Sequence, residues 1–169
     1  IFLSGAISDL QGRMNAFNLI ENGKASEPWV RAFAKLFVQL GLPRAELAAL
    51  TENLRLALDA GPDSVASRSA PLMPQRVDQL VWLGLSKRSV AILRPFINLL
   101  PVRTPVNLNS ASAPVLNACI PVLDMAQAAR LVSNRQSAHF RALSDIAKVA
   151  PEAAGDLNES LHSVSSRFF

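Results

Sequence analysis

Few residues of this 169-residue chain could act as nucleophiles, general bases or soft metal ligands. The chain has one cysteine, Cys119, and two histidines, His139 and His162, neither of which lies near the cysteine in sequence. A single cysteine excludes an intramolecular disulfide and a cysteine-rich zinc site. The apolar neighbours of Cys119 indicate a buried thiol that packs as a small hydrophobic group. We expect each histidine to be a surface residue or a packed helix residue rather than a catalytic group.

The carboxylates are spread along the chain and do not group at the spacing of a metal-binding loop. Glu46 and Glu52 stand more than one helical turn apart on a predicted helix and therefore point to different sides. The sequence also lacks a Gly-rich phosphate loop and a nucleophile elbow. We therefore expect no enzyme, and we assign no catalytic, cofactor-binding or metal-binding residue. The aspartates considered are Asp9, Asp59, Asp63, Asp78, Asp124, Asp145 and Asp156.

The composition is that of a globular domain with a substantial core. Hydrophobic residues make up 50% of the chain and charged residues 18%, which suits one compact domain or two small subdomains. The net charge of +4 could favour anionic partners, but the basic residues are scattered, which favours a mixed, solvated surface. Tyrosine is absent and other aromatic residues are few, so a stacking platform for single-stranded nucleic acid is poorly supported.

Helical periodicity dominates the chain from residue 28 onward, and Pro and Gly mark the breaks. Trp29, Trp82 and the leucine stripes are predicted to form the core. Short strands and turns are predicted for residues 1–22, a long loop for 61–73 and the entry to a strand for 164–169. The predicted helices cover residues 28–40, 43–60, 74–82, 86–98 and 112–119, a segment that begins at Asp124, and residues 143–149 and 152–162. Pro95 lies inside the helix predicted at 86–98 and should kink or shorten it.

This order of elements predicts a helical body inserted into a β-containing host, since strand-like segments stand at both of its ends. A weak internal similarity between residues 74–98 and 111–135, each a short helix, a tight turn and a longer helix, indicates two helical halves. The predicted division gives strands of the host at 1–22, a first helical subdomain at 23–101, a second at 102–163 and a return strand of the host at 164–169.

Three segments resemble the K class of minor pseudopilins of type II secretion. Residues 7–15 (ISDLQGRMN) are similar to the short strand that precedes the inserted helical domain of that family. Residues 101–111 (PVRTPVNLNSA) are similar to its most recognisable string, and residues 164–169 (VSSRFF) are similar to the return into the host sheet. Their order and spacing make the resemblance specific over most of the chain.

The resemblance implies a mainly α fold with minor β, in which a SAM-like or helix–hairpin–helix-like domain is inserted into a pilin-like α+β host. It implies a structural role at the tip of the periplasmic pseudopilus, in protein export. The expected partners are the minor pseudopilins of classes I and J, with secreted protein cargo as a further candidate. The parent would be held at the periplasmic face of the bacterial inner membrane by an N-terminal helix absent from this soluble fragment. The family's calcium-binding region is expected in a C-terminal part that this sequence lacks, so no metal residue is carried over.

One alternative from a different class is DNA binding. Residues 106–113 (VNLNSASA) also resemble the opening of helix–hairpin–helix domains, in which glycines let backbone N–H groups approach phosphate closely. Residues 120–124 (IPVLD) stand at the hairpin position here, and they contain no glycine. Pro121 has no N–H and Asp124 would repel phosphate. The sequence therefore favours a scaffold in which Asn side chains satisfy a turn and Ser112 caps a helix, with no nucleic acid expected.

Overall fold

Helices take up most of the computed structural model, which describes residues 4–60 and 69–169. The predicted mainly helical fold class is therefore confirmed. Most of the predicted loop 61–73, Asp63 and the first three residues of the predicted strand segment lie outside the described residues. The α-helices of the described ranges are α1 Glu27–Gln39, α2 Arg44–Asp59, α3 Lys87–Leu93, α4 Ala113–Cys119, α5 Met125–Ser137 and α6 Leu143–Val149.

Very short strands tie distant parts of the described chain together in pairs. Three antiparallel or parallel ladders of two residues each are present among the described residues. The strand β1 (Met14–Asn15) pairs in parallel with β4 (Ile97–Asn98), and β5 (Val106–Asn107) pairs in parallel with β6 (His162–Ser163). In the sequence between β1 and β4, the strands β2 (Ile20–Glu21) and β3 (Lys24–Ala25) form an antiparallel hairpin. Each parallel pair therefore joins the start of one half of the chain to its end.

Local capping chemistry sets several helix boundaries. The Asp124 carboxylate accepts the backbone N–H of Gln127 at 2.7 Å, and the Gln127 side chain accepts the N–H of Asp124 at 2.8 Å. This reciprocal capping box begins α5. Ser86 Oγ accepts the N–H of Ser89 at 3.1 Å and begins α3 as a one-way N-cap. Ser112, predicted to cap α4, occupies the cap position, but its buried hydroxyl has no hydrogen-bond partner among the described residues.

The core forms around α1, which packs against both α2 and α4. Its inner face contributes four side chains that are almost fully buried, Trp29, Phe33, Leu36 and Phe37. Leu47, Leu50 and Leu54 face it from α2, whereas Leu58 at the end of the same predicted stripe is 39% exposed. Helix α1 therefore lies between the two halves of the chain, and its burial joins them into one core.

One prediction about residues 74–98 is corrected and one is confirmed. The segment before Gly84 is a 3-10 helix, Val77–Leu83, and its Trp82 is 47% exposed rather than part of the core. Helix α3 stops at Leu93, short of Asn98, so the expected shortening by Pro95 is confirmed: Pro95 cannot donate a helical hydrogen bond, and the chain turns into β4.

The helix predicted at residues 152–162 is also wrong. The chain forms a short 3-10 helix, Pro151–Gly155, and then the strand β6, because the backbone at Leu161 and Ser163 bonds to the N–H groups of Val106 and Leu108. Residues 164–169, where the entry to a strand was predicted, form no strand within the described part of the chain. In α5, Ala128 and Leu131 form the buried face, whereas Met125 and Ala129 are exposed.

Other 3-10 helices, Leu10–Gly12 and Ala16–Leu19, accompany β1 in the first part of the chain. None of the helices in the described ranges is long and apolar enough to cross a membrane.

Candidate functional site

His162 and Cys119, which could have formed a catalytic pair, are in contact in the structure, but the histidine ring contacts the backbone of Cys119 and not its thiol. His162 Nε2 lies 3.0 Å from the carbonyl oxygen of Cys119, and Nδ1 accepts the N–H of Asn158 at 3.2 Å. Since Nδ1 accepts a hydrogen bond, the proton of the neutral ring is on Nε2. This Nε2–H donates a hydrogen bond to the backbone carbonyl oxygen of Cys119. Burial raises the pKa of the Cys119 thiol to about 12, so it stays protonated and is no nucleophile. His139 is exposed and lies elsewhere.

Several carboxylates bind structural partners within the chain. Asp78 pairs with Arg94, Asp145 begins α6 and pairs with Lys148, and Asp156 accepts the N–H of Val122. Glu46 accepts the N–H of Ser86, whereas Glu52 pairs with Arg55 on the surface, so they contact different partners. Across residues 4–60 and 69–169, no group of three or more His, Cys, Asp or Glu side chains could hold a metal ion.

The turn between α4 and α5 is the place where a DNA-binding hairpin would offer its backbone N–H groups to phosphate. Here those groups are already used: Val122 N donates to Asp156 Oδ2 at 3.1 Å and Leu123 N to the carbonyl oxygen of Ile120 at 3.1 Å. Asp124 N donates to its own capping partner, and Pro121 has none to give. The turn therefore presents no free backbone donor for phosphate.

The carbonyl oxygens of the same turn accept hydrogen bonds from the Lys35 side chain. Lys35 Nζ, on α1, donates to the carbonyl oxygen of Pro121 at 2.9 Å and to that of Leu123 at 3.0 Å. Asn117 Nδ2 on α4 also donates to the Leu123 carbonyl, at 2.6 Å. Burial lowers the pKa of Lys35, although Asp156 and Asp124 oppose this effect. The turn is thus fixed against α1, and the DNA-binding alternative is not supported.

A polar cluster, which we call the neck, joins the first and last described segments to β5. It consists of Asp9, Asn107, Asn109, Ser110 and Ser166. Asn107 Nδ2 donates to Asp9 Oδ2 and to Ser166 Oγ, each at 2.8 Å, and Ser166 Oγ donates to Asp9 Oδ2 at 2.7 Å. Ser110 donates to the same carboxylate oxygen. Burial works to raise the pKa of Asp9, but these hydrogen bonds and the N–H of Gln11 outweigh it and hold that pKa below its usual value.

The second asparagine of the neck reaches in the opposite direction. Asn109 Nδ2 donates to the carbonyl oxygens of Phe140 and Val164, at 2.8 and 3.0 Å, and its Oδ1 accepts the N–H of Phe140 at 2.9 Å. Its own N–H donates to Asn107 Oδ1 at 3.0 Å. The predicted use of Asn side chains to satisfy a turn is therefore confirmed for Asn107, while the long-range bonds were not predicted.

Backbone bonds complete the neck and bring the two ends of the described chain side by side. Leu10 N donates to the carbonyl oxygen of Phe168 at 3.1 Å, and Arg167 N donates to Gln11 Oε1 at 2.6 Å. The adjacent Gly12 leaves no room for a side chain, because a Cβ there would meet Ser110 backbone atoms at 3.0 Å. The chain therefore enters and leaves the helical body at the same place, the neck.

A related arrangement closes the first half of the chain. Asn15 Nδ2 donates to the carbonyl oxygen of Val102 at 2.8 Å, and Asn18 Nδ2 donates to that of Thr104 at 2.7 Å. Thr104 N returns a bond to Asn18 Oδ1 at 3.1 Å. In both halves a strand that ends in Asn is followed by a second Asn, and this repeated pattern is the sequence signal that could have located both clusters.

Exposed apolar side chains mark the surfaces that could contact another protein. Trp82 is 47% exposed on the 3-10 helix, and Val122 and Met125 are 46% and 45% exposed at the α4–α5 turn. A surface groove of about 530 Å³ lies elsewhere and has a mostly apolar lining. Its lining includes Phe17, Leu58, Met73, Leu99, Leu100 and Pro101.

Comparison with known proteins gives consistent matches along the chain. Two family models, both described as type II secretion system (T2SS), protein K, match residues 12–102 and residues 106–165. Type II secretion system protein K of Pseudomonas aeruginosa (strain PAO1) is 28% identical over 178 residues, which span 96% of this chain and 53% of that protein. This chain therefore spans about half the length of that relative.

A solved structure shares the fold. The chain matches one chain of the crystal structure of the GspK-GspI-GspJ complex from the type 2 secretion system of enterotoxigenic Escherichia coli with a TM-score of 0.61. The sequences are 18% identical, and the match covers 94% of this chain and 64% of the other. The class that the two family models define is a protein of the type II secretion system. Within that class, the chain belongs to the family of type II secretion system protein K.

Proposed function

We propose that this chain is the helical part of a minor pseudopilin and serves as a structural tip component of the type II secretion pseudopilus in protein export. The observation that carries the proposal is the pair of family matches, of which the one over residues 12–102 alone spans more than half of the chain. The turn between α4 and α5 offers no free N–H group to phosphate, and the described residues hold no cluster of metal-binding side chains, which supports a role in contact with proteins.

The proposed architecture is a SAM-like helical body inserted into a pilin-like α+β host. Support comes from the neck, where Leu10 bonds to Phe168, because an inserted domain needs its two ends close together. Support also comes from the relative, which is about twice as long as this chain. We propose that residues 23–101 and 102–163 are the two helical subdomains and that 1–22 and 164–169 lead into the host.

The proposed partners are the minor pseudopilins of classes I and J, with secreted protein cargo as a further partner. Support comes from the fold shared with a chain of the GspK-GspI-GspJ complex. We propose that the parent protein is anchored in the bacterial inner membrane and that this part faces the periplasm. Any calcium site of the parent is proposed to lie outside this chain.

The test is complex formation by the complete periplasmic region of the parent protein. Mixed with the periplasmic regions of its class I and J counterparts, it is expected to give one ternary complex by native mass spectrometry and size-exclusion chromatography. The variant Trp82→Ala, matched with exposed Arg88→Ala, shows whether the exposed Trp82 contributes to the interface. Absence of any complex under non-denaturing conditions would overturn the proposed partners.

A second test concerns the N-terminus of the parent in isolated inner membranes. Mass spectrometry is expected to find a processed, N-methylated, apolar start. An unprocessed start in the soluble fraction would contradict the pilin-like host, whatever the outcome of the binding test.

A further inference from the structure

His162 links two segments of the second half through its ring. The side chain belongs to β6, and the residue is 1% exposed. Its Nε2 donates to the carbonyl oxygen of Cys119 at the end of α4, and its Nδ1 accepts the N–H of Asn158. The backbone N–H of His162 also donates to the Asn158 carbonyl at 2.9 Å. We call His162, Cys119 and Asn158 the latch, because together they fasten the segment before β6 to α4.

The latch is built for a neutral ring only. A second proton would have to bind Nδ1, where the N–H of Asn158 already points at 3.2 Å. Two N–H groups would then face each other, so the bond to Asn158 is lost on protonation. The new positive charge would also be buried, which costs free energy unless the ring reaches water.

Release of the ring would weaken the connection between the helical body and the neck. Val106 N donates to the carbonyl oxygen of Leu161 and Leu108 N to that of Ser163, both at 2.8 Å, so β5 and β6 are joined on either side of His162. Beyond β6 the chain leads directly to Ser166 in the neck. A change at the ring therefore acts on the last segment that leaves the second half.

The charged groups around the latch are of both signs. Burial lowers the pKa of His162 from its ordinary 6.5, while the bonds to Cys119 and Asn158 and the negative Asp156 oppose that shift without cancelling it. The groove beside Cys119 and Asn158 is lined by Arg31, Lys35 and Asp156, and the groove beside His162 by Arg141 and Glu159.

We propose that the latch is a proton-sensitive device: at acidic pH, protonation of His162 releases residues 158–163 from α4 and loosens the β5–β6 pair, while α1 and α2 stay packed. The sign follows from the buried neutral ring, since the open state binds the proton more readily than the closed state. The latch is therefore fully closed above the pKa of an exposed histidine and opens as the pH falls below it.

Hydrogen exchange tests the latch on this chain without any partner. The measured quantity is the protection factor of single amides, which removes the ordinary pH dependence of exchange. Between pH 8 and pH 5 the protection of the Asn158, Val106 and Leu108 amides is expected to fall by as much as about 30-fold, the limit for a histidine that titrates only in the open state. The amide of Leu36 in α1 is expected to keep its protection.

Two variants and one direct titration decide the outcome. His162→Gln is expected to abolish the pH dependence at these amides, while the exposed His139→Gln is expected to retain it. Equal protection at both pH values in the wild type, or a pH-dependent loss that persists in His162→Gln, would overturn the proposal. If His162→Gln does not fold, nitrogen NMR of the wild-type ring decides: an Nε2–H tautomer that titrates together with Asn158 protection supports the latch, and titration without that loss refutes it.

Discussion

The ammonium group of Lys35 lies 2.9 Å from the carbonyl oxygen of Pro121 and 3.0 Å from that of Leu123. Lys35 belongs to the first half of the chain, and the two carbonyls belong to the turn of the second. A charged donor thus bridges the halves at the point where a phosphate-binding hairpin would need free N–H groups. The Lys35 bonds order the turn, and the turn's own N–H groups, which donate to Asp156, Ile120 and Gln127, are not free for phosphate.

Replacing Lys35 by Met should weaken the contact between the halves. Met retains an apolar stem that packs like that of lysine but cannot donate to the two carbonyls. We expect the free energy of unfolding to fall by about 1 kcal/mol, because the bonds are charge-assisted yet partly solvated. Urea denaturation measures the loss. Lys87→Met, at an exposed position, is the matched control and should change stability by less than about 0.5 kcal/mol; equal effects of the two variants would refute a bridging role.

The neck should depend on Asn107 more than on any exposed asparagine. Its side chain is 6% exposed and bonds to Asp9, Ser166 and the N–H of Asn109. Asn107→Ala leaves these groups without their partner and should lower the free energy of unfolding by about 2 kcal/mol. Asn134→Ala removes only a bond within α5 on the surface and should cost less than about 0.5 kcal/mol. Comparable losses in chemical denaturation would contradict a special role of the neck.

The Asp9 carboxylate should make the neck sensitive to acid. Its pKa is lowered in the folded chain, so its contribution to stability is present above the unfolded value of about 4 and is lost as the pH falls through the folded value. Asp9→Asn should therefore be less stable than the wild type at pH 7, and the difference should shrink toward pH 2. Denaturation curves of the wild type and of Asp9→Asn at the two pH values measure this difference in stability. The effect of the other carboxylates cancels, because both proteins contain them.

A second substitution checks the cause of that dependence. Ser166→Ala removes one donor to Asp9 Oδ2, so the wild-type difference between neutral and acid pH should become smaller in this variant. A pH dependence unchanged by both substitutions would place the acid sensitivity outside the neck.

The sequence predicted those elements whose signals are local. Helix α6 occupies the predicted residues 143–149, and α5 begins at the predicted cap Asp124. The turn role of Asn107 was also predicted, since its acceptor lies only two residues away at Asn109. Capping and turn chemistry act over a few residues, so one sequence is enough to locate them.

Features made by distant residues had no such signal. The helix predicted through His162 gave way to a strand because Val106, far away in sequence, supplies its partner. The neck joins Asp9 to Asn107 and Ser166, and no local pattern states that these three side chains converge. Trp82 was predicted to be buried from its type alone, and the packing of its helix left it half exposed.

Gly84 should tolerate a side chain poorly, for two separable reasons. Its φ is +104°, outside the range that other residues readily adopt, and a Cβ built there would lie 2.8 Å from Ala49 Cβ on α2. The close approach lets Asn53 Nδ2 donate to the carbonyl oxygen of Leu83 at 3.1 Å, which fixes the 3-10 helix to α2. Gly84→Ala should therefore lower the free energy of unfolding by about 2–3 kcal/mol.

Two other glycines separate backbone strain from steric overlap. Gly41 has a φ of +65° with no atom within 4 Å of a built Cβ, so Gly41→Ala should cost about 1 kcal/mol from the backbone alone. Gly155 has open space and no positive φ, so Gly155→Ala should be close to neutral. Thermal and urea unfolding of the three variants should rank the losses Gly84, Gly41, Gly155. If Gly84→Ala cost no more than Gly41→Ala, the 3-10 helix would be free to shift away from α2, and the packing that leaves Trp82 half exposed would not be fixed by this contact.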